Sequence, residues 1–179
     1  SLDMQKMSDT TSSLIAENIM DGLVAFDFKG TEVGLAPSLA TEWKSSNAAK
    51  NWEFKIREGV KWSDGQPFEP QHAVDGWERL LNPNTASNYS YFLYNIKNAK
   101  AYNEGRIKDF SQVGVKVVGN TIKVELEGSM PFPFLLTHQS TFPVRKDIIN
   151  KFGDKWTEPE NIVTLGEYNL TKWEHDKAL

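Results

Sequence analysis

The chain contains no cysteine. That removes disulfide bonds, thiol nucleophiles and thiolate metal sites, and leaves the compartment open. No uninterrupted run of about 18 apolar residues occurs, so no segment reads as a membrane-spanning helix. A basic tract is missing as well: 20 Lys and Arg stand against 24 Asp and Glu, for a net charge of −4. A mildly acidic chain of that kind argues against electrostatic binding of nucleic acid. There is no phosphate-binding loop, no dinucleotide glycine pattern, no nucleophile elbow, no internal repeat and no low-complexity stretch. His72, His138 and His175 stand far apart, without a second His or a carboxylate at metal-ligand spacing. Neither catalysis, nor a metal, nor a cofactor is indicated.

Aromatic residues are abundant, with 6 Trp, 5 Tyr and 10 Phe among 179 residues. The length suits one mid-sized domain or two small lobes able to bury roughly 70% of the unfolded surface. The chain opens at Ser1-Leu2-Asp3, without an initiator Met, and ends on Lys172-Trp173-Glu174-His175, which reads as a strand cut short. These ends are read as those of a fragment or a processed product.

Periodicity predicts an α+β fold. Residues 1–10 are polar and irregular; Ser12 and Ser13 then offer N-caps for a helix whose Ile15, Ile19 and Leu23 recur every four residues. Leu23–Phe28 is apolar and β-prone up to a turn at Lys29-Gly30, and another extended piece is expected near Thr41–Trp43. Trp52–Arg57 alternates apolar and polar, as a half-buried strand does. Val60 and Trp62 resume that alternation, before a turn at Ser63-Asp64-Gly65-Gln66. Pro70 fits a first helical turn, and Ala73, Val74, Trp77, Leu80 and Leu81 form a helical stripe that Asn82-Pro83 ends. A short helix is expected over Ile96–Glu104 with Gly105 as its stop, a hairpin over Val115–Leu126 turning at Gly119-Asn120, an apolar piece over Phe134–Leu136, and a helix over Lys146–Phe152 closed by Gly153.

Candidate functional residues are few. His138, following an apolar run, reads as a packing residue, and Asp64 reads as a turn former rather than a catalytic acid. Trp52, Phe54, Trp62 and Trp77 fall on core parities. Tyr89, Tyr91 and Tyr94 sit in a Ser- and Asn-rich loop where no periodic core signal explains them, so contact with a ligand weighs about evenly with plain packing.

The order of several blocks resembles the bacterial oligopeptide-binding proteins, the extracytoplasmic receptors of ABC peptide importers. The segments that carry the likeness are Glu17-Asn18-Ile19-Met20-Asp21-Gly22-Leu23-Val24, Leu39-Ala40-Thr41-Glu42-Trp43, the run from Trp52 to Phe68, Trp77-Glu78-Arg79-Leu80, Asn82-Pro83-Asn84-Thr85-Ala86-Ser87, Phe152-Gly153-Asp154-Lys155-Trp156 and Asn161-Ile162-Val163-Thr164. The resemblance covers essentially the whole chain. It implies part of a two-lobed periplasmic-binding-protein-like fold with mixed sheet, hairpins and packed helices. Residues 1–20 would begin the first lobe, 21–145 form a small inserted subdomain and 146–179 return to the first lobe, with the second lobe outside this chain. It further implies a non-enzymatic receptor, periplasmic or at the cell surface, with an oligopeptide ligand and ABC-transporter permease subunits as partners, and no nucleic acid. Within the segment from Lys6 onward, Met7, Ser8, Asp9 and Thr10 would pair through their main chain with the bound peptide as an added strand, and Tyr89 would lie against the ligand. Ser8 replaces an acidic residue of the best-known relatives, and Leu165 and Glu167 stand where relatives carry Asn and a Pro or Ala, a change expected to touch a strand entry before Tyr168. Rival readings are the same fold carrying a dipeptide, a nickel complex or an oligosaccharide, a hydrolase, and a free-standing interaction module.

Overall fold

The structure, a computed structural model, describes residues 2–173; His175 and the end of the expected last strand lie outside the described residues. Helices pack beside antiparallel sheets, as in an α+β fold.

The first helix, α1 (Thr10–Ile19), is capped one turn earlier than the serines suggest. Asp9 is extended at φ −102° and ψ 146°, and its carboxylate accepts a 2.8 Å hydrogen bond from the Ser12 amide. The acceptor has to stand just ahead of the first orphan amides, and Asp9 does so while Ser12 is already helical and buried. Ala16 and Ile19 face the core; Leu23 is buried beyond the helix end. The irregular stretch before α1 is also interior, since Leu2, Met4 and Met7 are all at most 3% exposed.

Strands β1 (Val24–Lys29) and β2 (Glu32–Pro37) form a two-stranded hairpin that turns at Gly30, where φ is +67°. β2 carries no clear strand signal in the sequence, because Gly34 and Pro37 dilute its β-propensity. Phe26 pairs with Leu35 and Phe28 with Val33 on one face, and Phe28 is 72% exposed.

The second sheet has the order β3 (Ala40–Ser46), β4 (Asn51–Ile56), β6 (Thr121–Glu125), β5 (Val115–Val118), with every described pairing antiparallel. Its two faces follow from strand alternation. Phe54, Ile56, Ile122 and Val124 point inward, while the outer face carries a ladder of charges in which Glu53 is bridged by Lys44 and Lys123, each at 3.2 Å. Helix α2 (Pro70–Leu81) closes the inner face with all five residues of the expected stripe buried. Phe132 is wedged between helix and sheet, with ring centres 6.2 Å from both Trp77 and Phe54 and edge-on to each. The expected β5–β6 hairpin and the helix α4 (Lys146–Phe152), ended by Gly153 at φ +57°, are observed as read.

Two elements are shorter than their patterns imply. The middle helix α3 covers only Ala99–Asn103, because Ile96 forms a β-bridge to Leu126 and Asn98 sits at φ +62°. Between Arg57 and α2 there is no strand. Trp62 is buried in a loop held by a single bridge between Lys61 and Pro67, and the Asp64 carboxylate accepts from the Gln66 amide to shape the turn.

Distant parts of the chain close on each other at the end of α1. The Ile19 carbonyl accepts from the amides of Leu165 and Gly166 at 3.0 and 2.9 Å, and the Asn18 carbonyl accepts from Tyr168. Leu165 is accordingly buried and sits in irregular chain, so the expected strand entry there is not found among the described residues.

Candidate functional site

The residues singled out near the amino terminus form one short, continuous strip. Met7 is buried, whereas Ser8, Asp9 and Thr10 are exposed. Asp9 spends its side chain on the α1 cap, which holds its carboxyl below the usual carboxylate range through the Ser12 amide bond. Thr10 opens the helix. What the strip presents outward is therefore irregular main chain that is extended at Asp9, followed by the start of a helix.

Tyr89 is half-buried and precedes a tight 3-10 turn over Ser90–Leu93, with its amide donating to the Ser87 hydroxyl at 3.1 Å. Of the three loop tyrosines, Tyr94 is a structural residue: its hydroxyl donates to Asn103 at 2.6 Å and ties the loop to α3. Tyr89 and Tyr91 instead join Phe92 and His138. Tyr91, 55% exposed, stacks on Phe92 at 4.9 Å, Phe92 stacks on His138 at 4.5 Å, and Tyr89 meets His138 at 4.8 Å. Stacked rings of this kind make a stiff wall, apolar in body and polar at its tyrosine tips. Burial pushes the His138 pKa down, and its Nδ1 lies 2.8 Å from the Ser140 hydroxyl. His138 thus packs, as its apolar setting implies, and also forms part of this wall.

The two candidates meet through the segment 138–142. Gln139 donates from Nε2 to the Ser13 hydroxyl at 2.9 Å, and that hydroxyl donates to the Asp9 carbonyl at 3.1 Å. Gln5 donates from Nε2 to the carbonyls of Ser140 and Phe142, both at 3.3 Å. Arg79 of α2 completes the arrangement: it clasps Asp3 with both terminal nitrogens at 2.6 and 2.5 Å and donates to Gln5 Oε1 at 2.8 Å. Asp3 also accepts from the Trp156 indole at 3.4 Å. Reasoning from sequence missed Asp3 and Gln5, since a buried polar residue in irregular chain leaves no periodic trace, and it missed the role of Arg79, whose partners lie 74 and 76 residues away. The one available signal was the unusual density of Leu, Met and Gln in residues 2–7.

A second group of charges lies apart from this strip. His72 accepts at Nδ1 from the Trp62 indole at 3.2 Å and from the Glu69 amide at 3.1 Å, and Arg145 pairs with Asp64 at 3.0 Å and with Asp147 at 2.7 Å. Every member has a structural partner, and Asp64 proves to be both turn former and ion-pair acceptor. Near the α1 end, burial and the charge of Glu167 raise the Asp21 pKa. Among the described residues no group of three or more His, Asp or Glu could hold a metal ion, and no helix is long and apolar enough to cross a membrane.

The family model described as bacterial extracellular solute-binding proteins, family 5 Middle, matches residues 34–179. The chain is 41% identical over 177 residues to the periplasmic oligopeptide-binding protein OppA of Escherichia coli K12, covering 97% of this chain and 32% of that protein. It is 36% identical to the probable deoxycholate-binding periplasmic protein YgiS of the same strain, over 96% of this chain and 32% of that one. Among solved structures, Haemophilus influenzae OppA in complex with RPPGFSPFR superposes with a TM-score of 0.89 at 31% identity, over 97% of this chain and 34% of that one. The chain spans about a third of the length of the relatives it matches.

Proposed function

The chain belongs to the bacterial extracellular solute-binding proteins of family 5, and from that premise we propose that it forms part of a non-enzymatic receptor, periplasmic or at the cell surface, that captures oligopeptides and hands them to an ABC importer. Residues 1–20 and 146–179 belong to a first lobe and 21–145 to a small subdomain inserted in it. The ligand is held between this lobe and a second one. Met7, Ser8, Asp9 and Thr10 offer the peptide main-chain partners, and Tyr89 lies against it. Main-chain pairing suits a receptor tolerant of sequence, because the added strand supplies affinity without reading side chains. Closure of the lobes then presents the permease subunits with a liganded shape, a population shift set by the ligand's preference for the closed state.

The observation that carries this reading is the joining of the two candidate elements. The segment 138–142 touches Tyr89 on one side and the Asp9 end of α1 on the other, so main chain and aromatic wall belong to a single rigid framework. The name of YgiS favours one alternative, a non-peptide solute such as a bile acid carried on the same fold, for which an aromatic wall would be equally suitable. Native mass spectrometry of the complete protein, purified without denaturation, separates the two. Bound masses forming a ladder of amino-acid residue sums are expected; a single defined non-peptide mass overturns the peptide assignment. Replacing Tyr89→Ala in the complete protein is expected to weaken peptide binding about tenfold in calorimetry, the scale of a buried aromatic contact.

A further inference from the structure

We propose that Gln5 is a positioning residue of the ligand site, a role that rests on the peptide-receptor reading above. Its side chain is fully buried, at 0% exposure, in a chain segment that forms neither helix nor strand. The amide makes three hydrogen bonds, one to α2 and two to the segment 138–142. Arg79 can only donate, so its 2.8 Å bond to Oε1 fixes which end of the amide faces α2. The NH2 group must then face the other way, where it meets the carbonyls of Ser140 and Phe142. Arg79 is itself immobilised by its two bonds to Asp3, two residues before Gln5.

The consequence is geometric. Gln5 stands two residues before Met7, where the ligand-facing strip begins. The Ser140 hydroxyl holds His138, whose ring lies against Tyr89. One amide therefore sets the spacing between the main chain that pairs with the peptide and the wall that the peptide lies against, across 135 and 137 residues of sequence. An unbranched apolar side chain such as Met would fill the same volume with no polar atom of its own, leaving Arg79 and the two carbonyls without this partner. What it would not do is fix register: a satisfied buried network specifies one arrangement, whereas apolar contact tolerates sliding. Binding sites need their groups held to within about 0.5 Å, and sliding on that scale is enough to lose them.

The test is a double-mutant cycle in the complete protein. Gln5→Met, Tyr89→Ala and the pair are titrated by calorimetry with a randomised tetrapeptide pool, alongside their melting temperatures. Gln5 and Tyr89 have no bond or ring contact in common, so a purely structural Gln5 lowers the melting temperature and leaves the two effects on affinity multiplicative. Positioning gives a different result: Gln5→Met alone weakens binding about tenfold, and the double variant is about threefold or more tighter than the product of the single effects predicts. Should Gln5→Met fail to fold, Gln5→Glu serves instead, since it keeps the volume and the Arg79 partner and removes both N–H donors. Unchanged affinity, or strictly multiplicative effects, overturns the role of Gln5 alone. A wild-type protein that binds none of the pool overturns the peptide reading itself.

Discussion

At the scale of single residues, His72 shows how a side chain can look functional and be structural. Its Nδ1 accepts two hydrogen bonds, from the Trp62 indole and the Glu69 amide, so the ring is neutral with its proton on Nε2. Burial, and secondly the Arg145 charge, push its pKa below the ordinary 6.5, against the opposing pull of Glu69, Asp75 and Asp147. The unfolded chain consequently takes up a proton before the folded one does. His72 costs nothing above about pH 6.5 and destabilises the fold as the pH drops below that value. Melting temperatures measured from pH 8 to pH 5 should fall for the wild type and fall less for His72→Gln, which keeps an acceptor that does not titrate. His138, also displaced downward by burial, adds to the slope in the same direction. Trp77 makes a second residue-scale case. Its indole donates to the buried Thr141 carbonyl at 2.9 Å, so Trp77→Phe both opens a cavity and strands an acceptor. A loss of about 2–4 kcal/mol in urea denaturation is expected. Trp77 was legible as core from its place in the helical stripe, whereas its bond to Thr141 crosses 64 residues and has no local signature.

At the scale of elements, the boundaries that could be read in advance were those set by local chemistry. Pro70 and the Ala73-to-Leu81 stripe predict α2 to the residue, and Gly119-Asn120 predicts the β5–β6 turn. Those set by distant partners could not be read. β2 exists because β1 offers it a complete ladder, in spite of Gly34 and Pro37, and α3 starts late because Ile96 is already bridged to Leu126. The same division runs through the candidate site. Tyr89, Tyr91 and Tyr94 stood out because nothing periodic explained them; residues 2–5 did not, because their burial is dictated by α2 and the segment 138–142. That packing is close enough to test. A Cβ added at Gly76 of α2 would come within 2.4 Å of the Phe142 carbonyl oxygen, a backbone atom that cannot swing aside. Gly76→Ala should therefore cost about 1–3 kcal/mol in chemical denaturation. Gly128→Ala, with open space around it, serves as the neutral comparison.

At the scale of the whole molecule, one apolar cluster extends from Leu2 to Leu165 and takes in both sheets and the helices between them. The hairpin β1–β2 belongs to it least, since a two-stranded ribbon with exposed phenyl rings is only marginally stable by itself. Hydrogen exchange in the complete protein should be slowest at β4 and β6, the inner strands of the four-stranded sheet, and fastest of the strands at β1–β2. Phe28→Ser should change stability by less than about 0.5 kcal/mol while reducing self-association in light scattering. The closing of the chain upon itself has a consequence for how the protein is made. The Ile19 carbonyl waits for the Leu165 and Gly166 amides, and Gln5 waits for Ser140 and Phe142. At ribosomal speeds of ~5–20 residues per second, residues 2–19 spend at least roughly 7–30 s without these partners. During that time Leu2, Met4, Met7 and Ile19 are open to whatever apolar surface passes, so the segment from Leu2 to Ile19 is where an attending chaperone would find its handle.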